Sequence, residues 1–131
     1  MRPRATPKDD NHKIVTDFMR YVCGGVEIAP KEVRGRTVAY TSNYHGEKFL
    51  LMDTADFGGV FPDYILTNIE SGQVAYLEVK EPGAFRKDGT LPDYELKPGE
   101  KWLRDTGALW KIIVTDDDVR AIFDELLEKG K

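Results

Sequence analysis

Residues 60–67 and 73–80 form two apolar, β-rich arms on either side of Asn68-Ile69-Glu70-Ser71-Gly72, and this pairing limits the fold more than any other part of the chain. Runs of that length, interrupted by Asn, Ser and Gly, close as an antiparallel hairpin. A shorter hairpin is predicted from residues 38–41 and 48–52 around Asn43-Tyr44-His45-Gly46, with Phe57-Gly58-Gly59 resetting the chain between the two. The helical periods lie towards the ends. Ile14, Val15, Phe18, Met19, Tyr21 and Val22 have the spacing of one helix face, with Asp9 or Asp10 placed as an N-cap or first-turn acid and Gly24-Gly25 as the stop. Val119, Ile122, Phe123, Leu126 and Leu127 recur at i, i+3, i+4, i+7 and i+8. Thr115 precedes them as N-cap, and Asp116, Asp117 and Asp118 complement the helix dipole there, a simpler reading than a metal cluster.

Residues 81–99 form a long Pro/Gly loop of the kind that often becomes a lid or binding loop. Pro98 then starts a helix to about Asp105, Gly107 stops it, and residues 108–114 read as a buried strand. The order is α-β-β-β-β-α-β-α, which predicts an α/β fold with a mixed central sheet flanked by helices.

Length and charge set the outer limits. The chain has 131 residues, which fits one domain over residues 9–131 after a flexible segment 1–8. Its net charge of −4 argues against a partner held by a basic field over the whole body. The charge is uneven, however: net +3 over residues 1–36, −5 over 37–79, +1 over 80–111 and −3 over 112–131. Cys23 is the only cysteine, so an internal disulfide and a thiolate zinc cage are both excluded, and it reads as a small buried residue. No apolar run approaches a membrane span and no secretory h-region follows the basic start, so a cytoplasmic protein is expected.

The chemistry concentrates on the longer hairpin. With its turn centred between Glu70 and Ser71, Asp63 falls directly opposite Glu78, with side chains on one face about 5 Å apart at Cβ. Period-two alternation puts Lys80 on the same face. Two unpaired carboxylates so close repel unless one takes a proton or a divalent cation sits between them. With Mg²⁺ there, a bound water becomes a better nucleophile and charge building on a phosphate is stabilised, while a lysine alongside orients the water. Surface decoration of a hairpin is the plainer alternative, but charges in otherwise apolar arms are costly to bury unpartnered. Glu95-Leu96-Lys97, after Pro92-Asp93, repeats the Glu-x-Lys pattern within the Pro-rich loop; no hairpin can oppose it there, so it reads as a decoy on the loop surface.

Pro62-Asp63 followed by Glu78-Val79-Lys80 resembles the signature of the PD-(D/E)xK nuclease superfamily, and the chain is most similar to the small stand-alone VRR-NUC domains of phages and bacteria. The similarity extends to Gly59-Val60-Phe61-Pro62-Asp63, to Pro82-Gly83 after the Glu-Val-Lys strand, to Leu96-Lys97-Pro98-Gly99-Glu100 at a helix start, and to residues 107–119. The resemblance implies a restriction-endonuclease-like core. It implies Asp63, Glu78 and the backbone carbonyl of Val79 as metal ligands, Lys80 as the water-positioning residue, and Mg²⁺ as cofactor with Mn²⁺ substituting. The family's first-helix acid falls at Asp10 or, less well, Asp9, where Asp stands in place of the usual Glu. Glu100 stands where the family has Gln, and it either adds a carboxylate to the site or is exposed.

The activity so implied is metal-dependent endonucleolytic hydrolysis of structured DNA, such as four-way junctions or flaps, leaving 5′ phosphates and carried out by a homodimer with a role in DNA repair or recombination. Arg34, Arg36, Arg86, Lys87, Lys97, Lys101 and Arg104 are then candidate phosphate contacts, each with solvated surface as the alternative. Tyr44 and His45 read as a plain turn that could also touch DNA, and Trp102 and Trp110 as core or dimer-face residues. The alternative function is a catalytically silent nuclease-fold module that binds DNA or a protein partner. A phosphohydrolase acting on other substrates is a third reading.

Overall fold

The computed structural model describes residues 13–28, 37–55 and 61–127. In chain order the elements are α1 (Ile14–Tyr21), β1 (Val26–Glu27), β2 (Ala39–Tyr44), β3 (Glu47–Asp53), β4 (Tyr64–Asn68), β5 (Val74–Val79), α2 (Pro98–Asp105), β6 (Trp110–Ile113) and α3 (Asp116–Leu126). The strands form one mixed sheet in sequence order, antiparallel from β1 to β5, with β6 parallel to β5. A parallel neighbour requires a crossover, and residues 80–109 supply it through α2. The mixed sheet flanked by helices is therefore the observed architecture. The expected order lacked β1, whose two residues are too few to carry any periodicity.

One face of the sheet is the apolar core. Tyr40 and Tyr44 of β2, Phe49 and Leu51 of β3, Tyr64 and Leu66 of β4, and Ala75, Leu77 and Val79 of β5 pack there against Val15, Phe18 and Met19 of α1 and Val119, Ile122, Phe123 and Leu126 of α3. Alternation along each strand sends these residues inward and the intervening ones to the other face. Tyr21 and Val22 do not join the core: they are 80% and 50% exposed. Tyr21 lies on the opposite side of the helix from Met19, and Val22 is the C-cap, where the chain is already leaving the helix. Gly24, at φ 65°, makes that exit, and Gly25 donates its N–H to the Met19 carbonyl at 2.9 Å. A Cβ on Gly25 would lie 2.8 Å from Met19 Cγ, so no other residue fits without a shift. Cys23 is buried, and burial pushes its thiol up to about 11. The helix has Lys13 as its N-cap and Asp17 as its first-turn acid, not Asp9 or Asp10, which lie outside the described residues.

The first hairpin turns more tightly than its sequence suggests. Only His45 and Gly46 are in the turn, at φ 50° and 82°, the paired left-handed conformation that matches the twist of two-residue hairpins. Tyr44 therefore ends β2 and is buried rather than lying at the tip. Its ring packs on Phe123, with centroids 5.2 Å apart, and its hydroxyl donates to Asp124 Oδ1 at 2.6 Å. At α3, Thr115 Oγ1 accepts from the Asp118 N–H, and Asp118 Oδ2 accepts from the N–H groups of Val114 and Thr115 at 2.8 and 3.0 Å. That reciprocal cap accounts for the acidic run without a metal.

Asn68, at the closed end of the longer hairpin, is fully buried and satisfies several groups at once. Its Nδ2 donates to Glu47 Oε1 at 2.9 Å and to the Leu126 carbonyl at 2.8 Å, while its Oδ1 accepts from the N–H groups of Glu70 and Ser71. The turn, β3 and the end of α3 are thus tied through one amide. Asn68→Ala leaves buried partners unpaired and is expected to lower stability by about 2–4 kcal/mol in urea denaturation, with the m-value unchanged.

Candidate functional site

The β4–β5 pairing runs from Thr67↔Val74 to Tyr64↔Leu77. One further step brings Asp63 opposite Glu78, as the turn-centred register predicts, and Asp63 Oδ2 accepts the Val79 N–H at 2.9 Å. Thr54, immediately after β3, holds the other side of this junction. Its N–H donates to the Asp63 carbonyl at 2.8 Å and its hydroxyl to the Pro62 carbonyl at 2.6 Å. The Lys80 N–H is fixed on β6 by the Ile113 carbonyl at 2.9 Å. Asp63, Glu78 and Lys80 thus project from the face opposite the core, on backbone anchored by three strands.

All three are buried there, at 0%, 0% and 3% exposure, because α2 and the crossover loop cover this end of the sheet. Lys80 Nζ pairs with Glu78 Oε2 at 3.1 Å and donates to the Glu95 carbonyl in the turn Asp93–Glu95. Glu100, fully buried at the start of α2, uses Oε1 to accept the Lys97 backbone N–H at 2.8 Å. Its other oxygen is left on the site side, so Glu100 adds a carboxylate to the cluster and is not exposed. The Lys97 ammonium lies 3.3 Å from Asp63 Oδ1 and 3.8 Å from Glu100 Oε2, bridging the two. Lys97 is therefore part of the site, which corrects the expectation that the second Glu-x-Lys copy merely lines the loop surface. Its role depends on where the crossover packs, and nothing in its local sequence signals that.

Electrostatically the cluster is an unfinished arrangement. Among the described residues three buried carboxyls, Asp63, Glu78 and Glu100, face two ammoniums, Lys80 and Lys97. With both carboxyls ionised, and apart from the Lys80 ion pair, neither Glu78 oxygen nor Glu100 Oε2 has a hydrogen-bond partner. Burial above all pushes the Glu78 carboxyl up to about 9, helped by a Glu100 hydrogen bond that exists only while the two share a proton and by the charges of Asp63 and Glu100, with Lys97 opposing. Burial works against the charge on Lys97, but Asp63, Glu78 and Glu100 together hold its pKa above the ordinary lysine value.

Among the described residues no group of three or more His, Cys, Asp or Glu side chains forms a ready metal cage. The donor set nevertheless suits a hard divalent cation: all its ligands are oxygens, and the buried carboxylate oxygens of Glu78 and Glu100 without hydrogen bonds are the places such an ion would satisfy. Asp63, Glu78 and Glu100 would hold it, with the Val79 backbone adjoining them.

The remaining candidates separate clearly. Arg86 and Lys87 are exposed on the crossover loop, in a tight turn closed by Arg86 N–H to the Thr90 carbonyl and Gly89 N–H to the Arg86 carbonyl. Lys101 is half-buried, and Arg104 is exposed and paired with Asp93 at 3.1 Å and Asp105 at 2.9 Å. Asp9, Asp10, Arg34 and Arg36 lie outside the described residues. Trp102 is not a core residue: it is 64% exposed and, with Phe61, Pro62, Ile65, Tyr76 and Leu103, lines an apolar cleft of about 370 Å³ beside the site. Trp110 is half-buried on β6.

The raised Glu78 carboxyl has a definite consequence for stability. The unfolded chain releases that proton near the ordinary value of 4.5 and the folded one near 9, so between those values the folded state alone holds it. Stability from this group is complete below 4.5 and is lost as pH rises towards 9. Melting temperatures of the metal-free protein across that window are expected to fall more steeply in the wild type than in Glu78→Gln, which carries no titrating proton there. Comparison of the chain with protein-family models, curated proteins and solved structures returns no match.

Proposed function

We propose that this protein is a metal-dependent endodeoxyribonuclease that hydrolyses phosphodiester bonds in structured DNA, such as junctions or flaps. The observation that carries the reading is the buried cluster of Asp63, Glu78 and Lys80 at the open end of one hairpin, in which the Glu78 oxygens accept no hydrogen bond. Structural carboxylates are ordinarily completed by hydrogen-bond donors, whereas the buried Glu78 oxygens and Glu100 Oε2 accept none. When bound, Mg²⁺ would supply Lewis acidity and a water of lowered pKa.

The chain's own residues do the rest. Asp63, Glu78 and Glu100 would hold the ion, and Asp63 is itself held by the Val79 N–H and its backbone by Thr54. Lys80, fixed by Glu78 and the Glu95 carbonyl, positions the attacking water and offsets charge on the phosphate. In-line attack of the water oxygen forms a new P–O bond and breaks the P–O3′ bond, leaving a 5′ phosphate and a 3′ oxygen that takes a proton from solvent water to become a hydroxyl. Arg86 and Lys87, exposed on the adjoining loop, are suited to meet the DNA backbone.

A panel of labelled hairpin, flap, four-way-junction and duplex DNAs, incubated with and without Mg²⁺, tests the reading. Cleavage of at least one branched substrate is expected only with the metal. Asp63→Asn, Glu78→Gln and Lys80→Met, each verified as folded by circular dichroism, should lose at least about 100-fold in rate. Full activity in any of them overturns the assignment, and DNA binding without cleavage in the wild type favours the silent module.

A further inference from the structure

We infer that Lys97 is a tethered cation that holds the carboxylates in the metal-free protein and is displaced when a divalent ion binds, so that it sets how tightly the ion is held. The inference rests on the metal-binding reading of the site and goes beyond it by assigning a role to Lys97.

Charge is the first reason. The carboxylates of Asp63, Glu78 and Glu100 carry −3 when ionised, and Lys80 and Lys97 return +2. With a divalent ion beside Lys80 the formal charges already cancel, so Lys97 becomes a surplus positive charge next to the metal. Two cations competing for the same carboxylates repel each other strongly in a poorly screened environment.

Geometry is the second reason, because only one of the two lysines can leave. Lys80 is 3% exposed and anchored by Glu78 and the Glu95 carbonyl. The Lys97 side chain keeps 28% of its surface in solvent while its ammonium reaches Asp63 Oδ1 at 3.3 Å and Glu100 Oε2 at 3.8 Å. A four-carbon stem with an open side can swing its charge outward at little cost. The backbone need not move with it: the Lys97 N–H donates to Glu100 Oε1 and the Lys97 carbonyl accepts the Glu100 N–H, both through backbone groups of Lys97. The released ammonium then stands at the rim of the site, where a phosphate would arrive.

Metal affinity and metal-free stability distinguish this role from plain packing. Titration calorimetry with Mn²⁺ on the wild type and on Lys97→Met, which keeps the stem and removes the charge, is expected to show the variant binding about three- to tenfold more tightly, the range for losing one partly exposed competitor. Without metal the variant should melt lower than the wild type, and saturating Mn²⁺ should raise its melting temperature by the larger amount. If the metal-free variant is unfolded, recovery of its circular dichroism spectrum on adding Mn²⁺ gives the same answer, and Lys97→Arg, which retains a cation, should bind Mn²⁺ like the wild type. Equal or weaker Mn²⁺ binding by Lys97→Met overturns the role of Lys97 alone. Absence of Mn²⁺ binding in both proteins, with Asp63→Asn as the reference for a destroyed site, overturns the metal reading as well.

Discussion

A slip of β5 by one residue against β4 would carry Glu78 into the apolar core, put Leu77 on the polar face and leave Asp63 without its partner. The whole arrangement depends on that register. It is specified twice over: apolar residues on the core face can be buried in only one alignment, and the buried Asn68 amide fixes the turn that starts the ladder. At the other end the Asp63 carboxylate takes the Val79 N–H, so a side chain continues the ladder past the last backbone pair. One alignment thus serves packing, turn geometry and the meeting of the carboxyls.

The two faces of the sheet have opposite energetic characters. Burial of Phe49, Leu51, Leu66, Leu77 and Val79 against α1 and α3 stabilises the fold. On the other face, burial of three carboxyls costs stability that the two lysines only partly return. A group of charges desolvated at such a cost, with oxygens left unbonded, is a common mark of a site arranged for a ligand. The fold tolerates it because the opposite face carries the core, and because the junctions are also fixed by uncharged groups: Thr54 on the Asp63 and Pro62 carbonyls, and the Lys80 N–H on the Ile113 carbonyl.

Most of the sheet could be read from the sequence because its signals are local. Period-two patterns and an Asn/Gly turn give the β4–β5 register, and the repeat from Val119 to Leu126 with Thr115 before it gives α3. The facing of Asp63 and Glu78 follows from the same arithmetic. Where the reading fails, the deciding contact is distant in sequence. The placement of Lys97 against Asp63 and the burial of Glu100 depend on how the crossover lands on the sheet. Tyr44 leaves the turn because two left-handed residues suffice to close it, although Asn43-Tyr44-His45-Gly46 looks like turn chemistry throughout; its ring meets Phe123 and its hydroxyl Asp124. Trp102 is exposed because α2 turns it towards a cleft instead of the core.

The crossover loop joins two kinds of chain. Its Glu95 end is fixed, since that carbonyl holds Lys80 and the next residues begin α2. Its far end, residues 86–90, is an exposed turn closed on itself by Arg86, Gly89 and Thr90. Loop-closure entropy grows only slowly with length, so residues added or removed at that turn change little in the free energy of folding. The reach of this arm, and with it the distance from the carboxylates at which Arg86 and Lys87 meet a partner, can therefore vary across related sequences while the buried cluster stays the same.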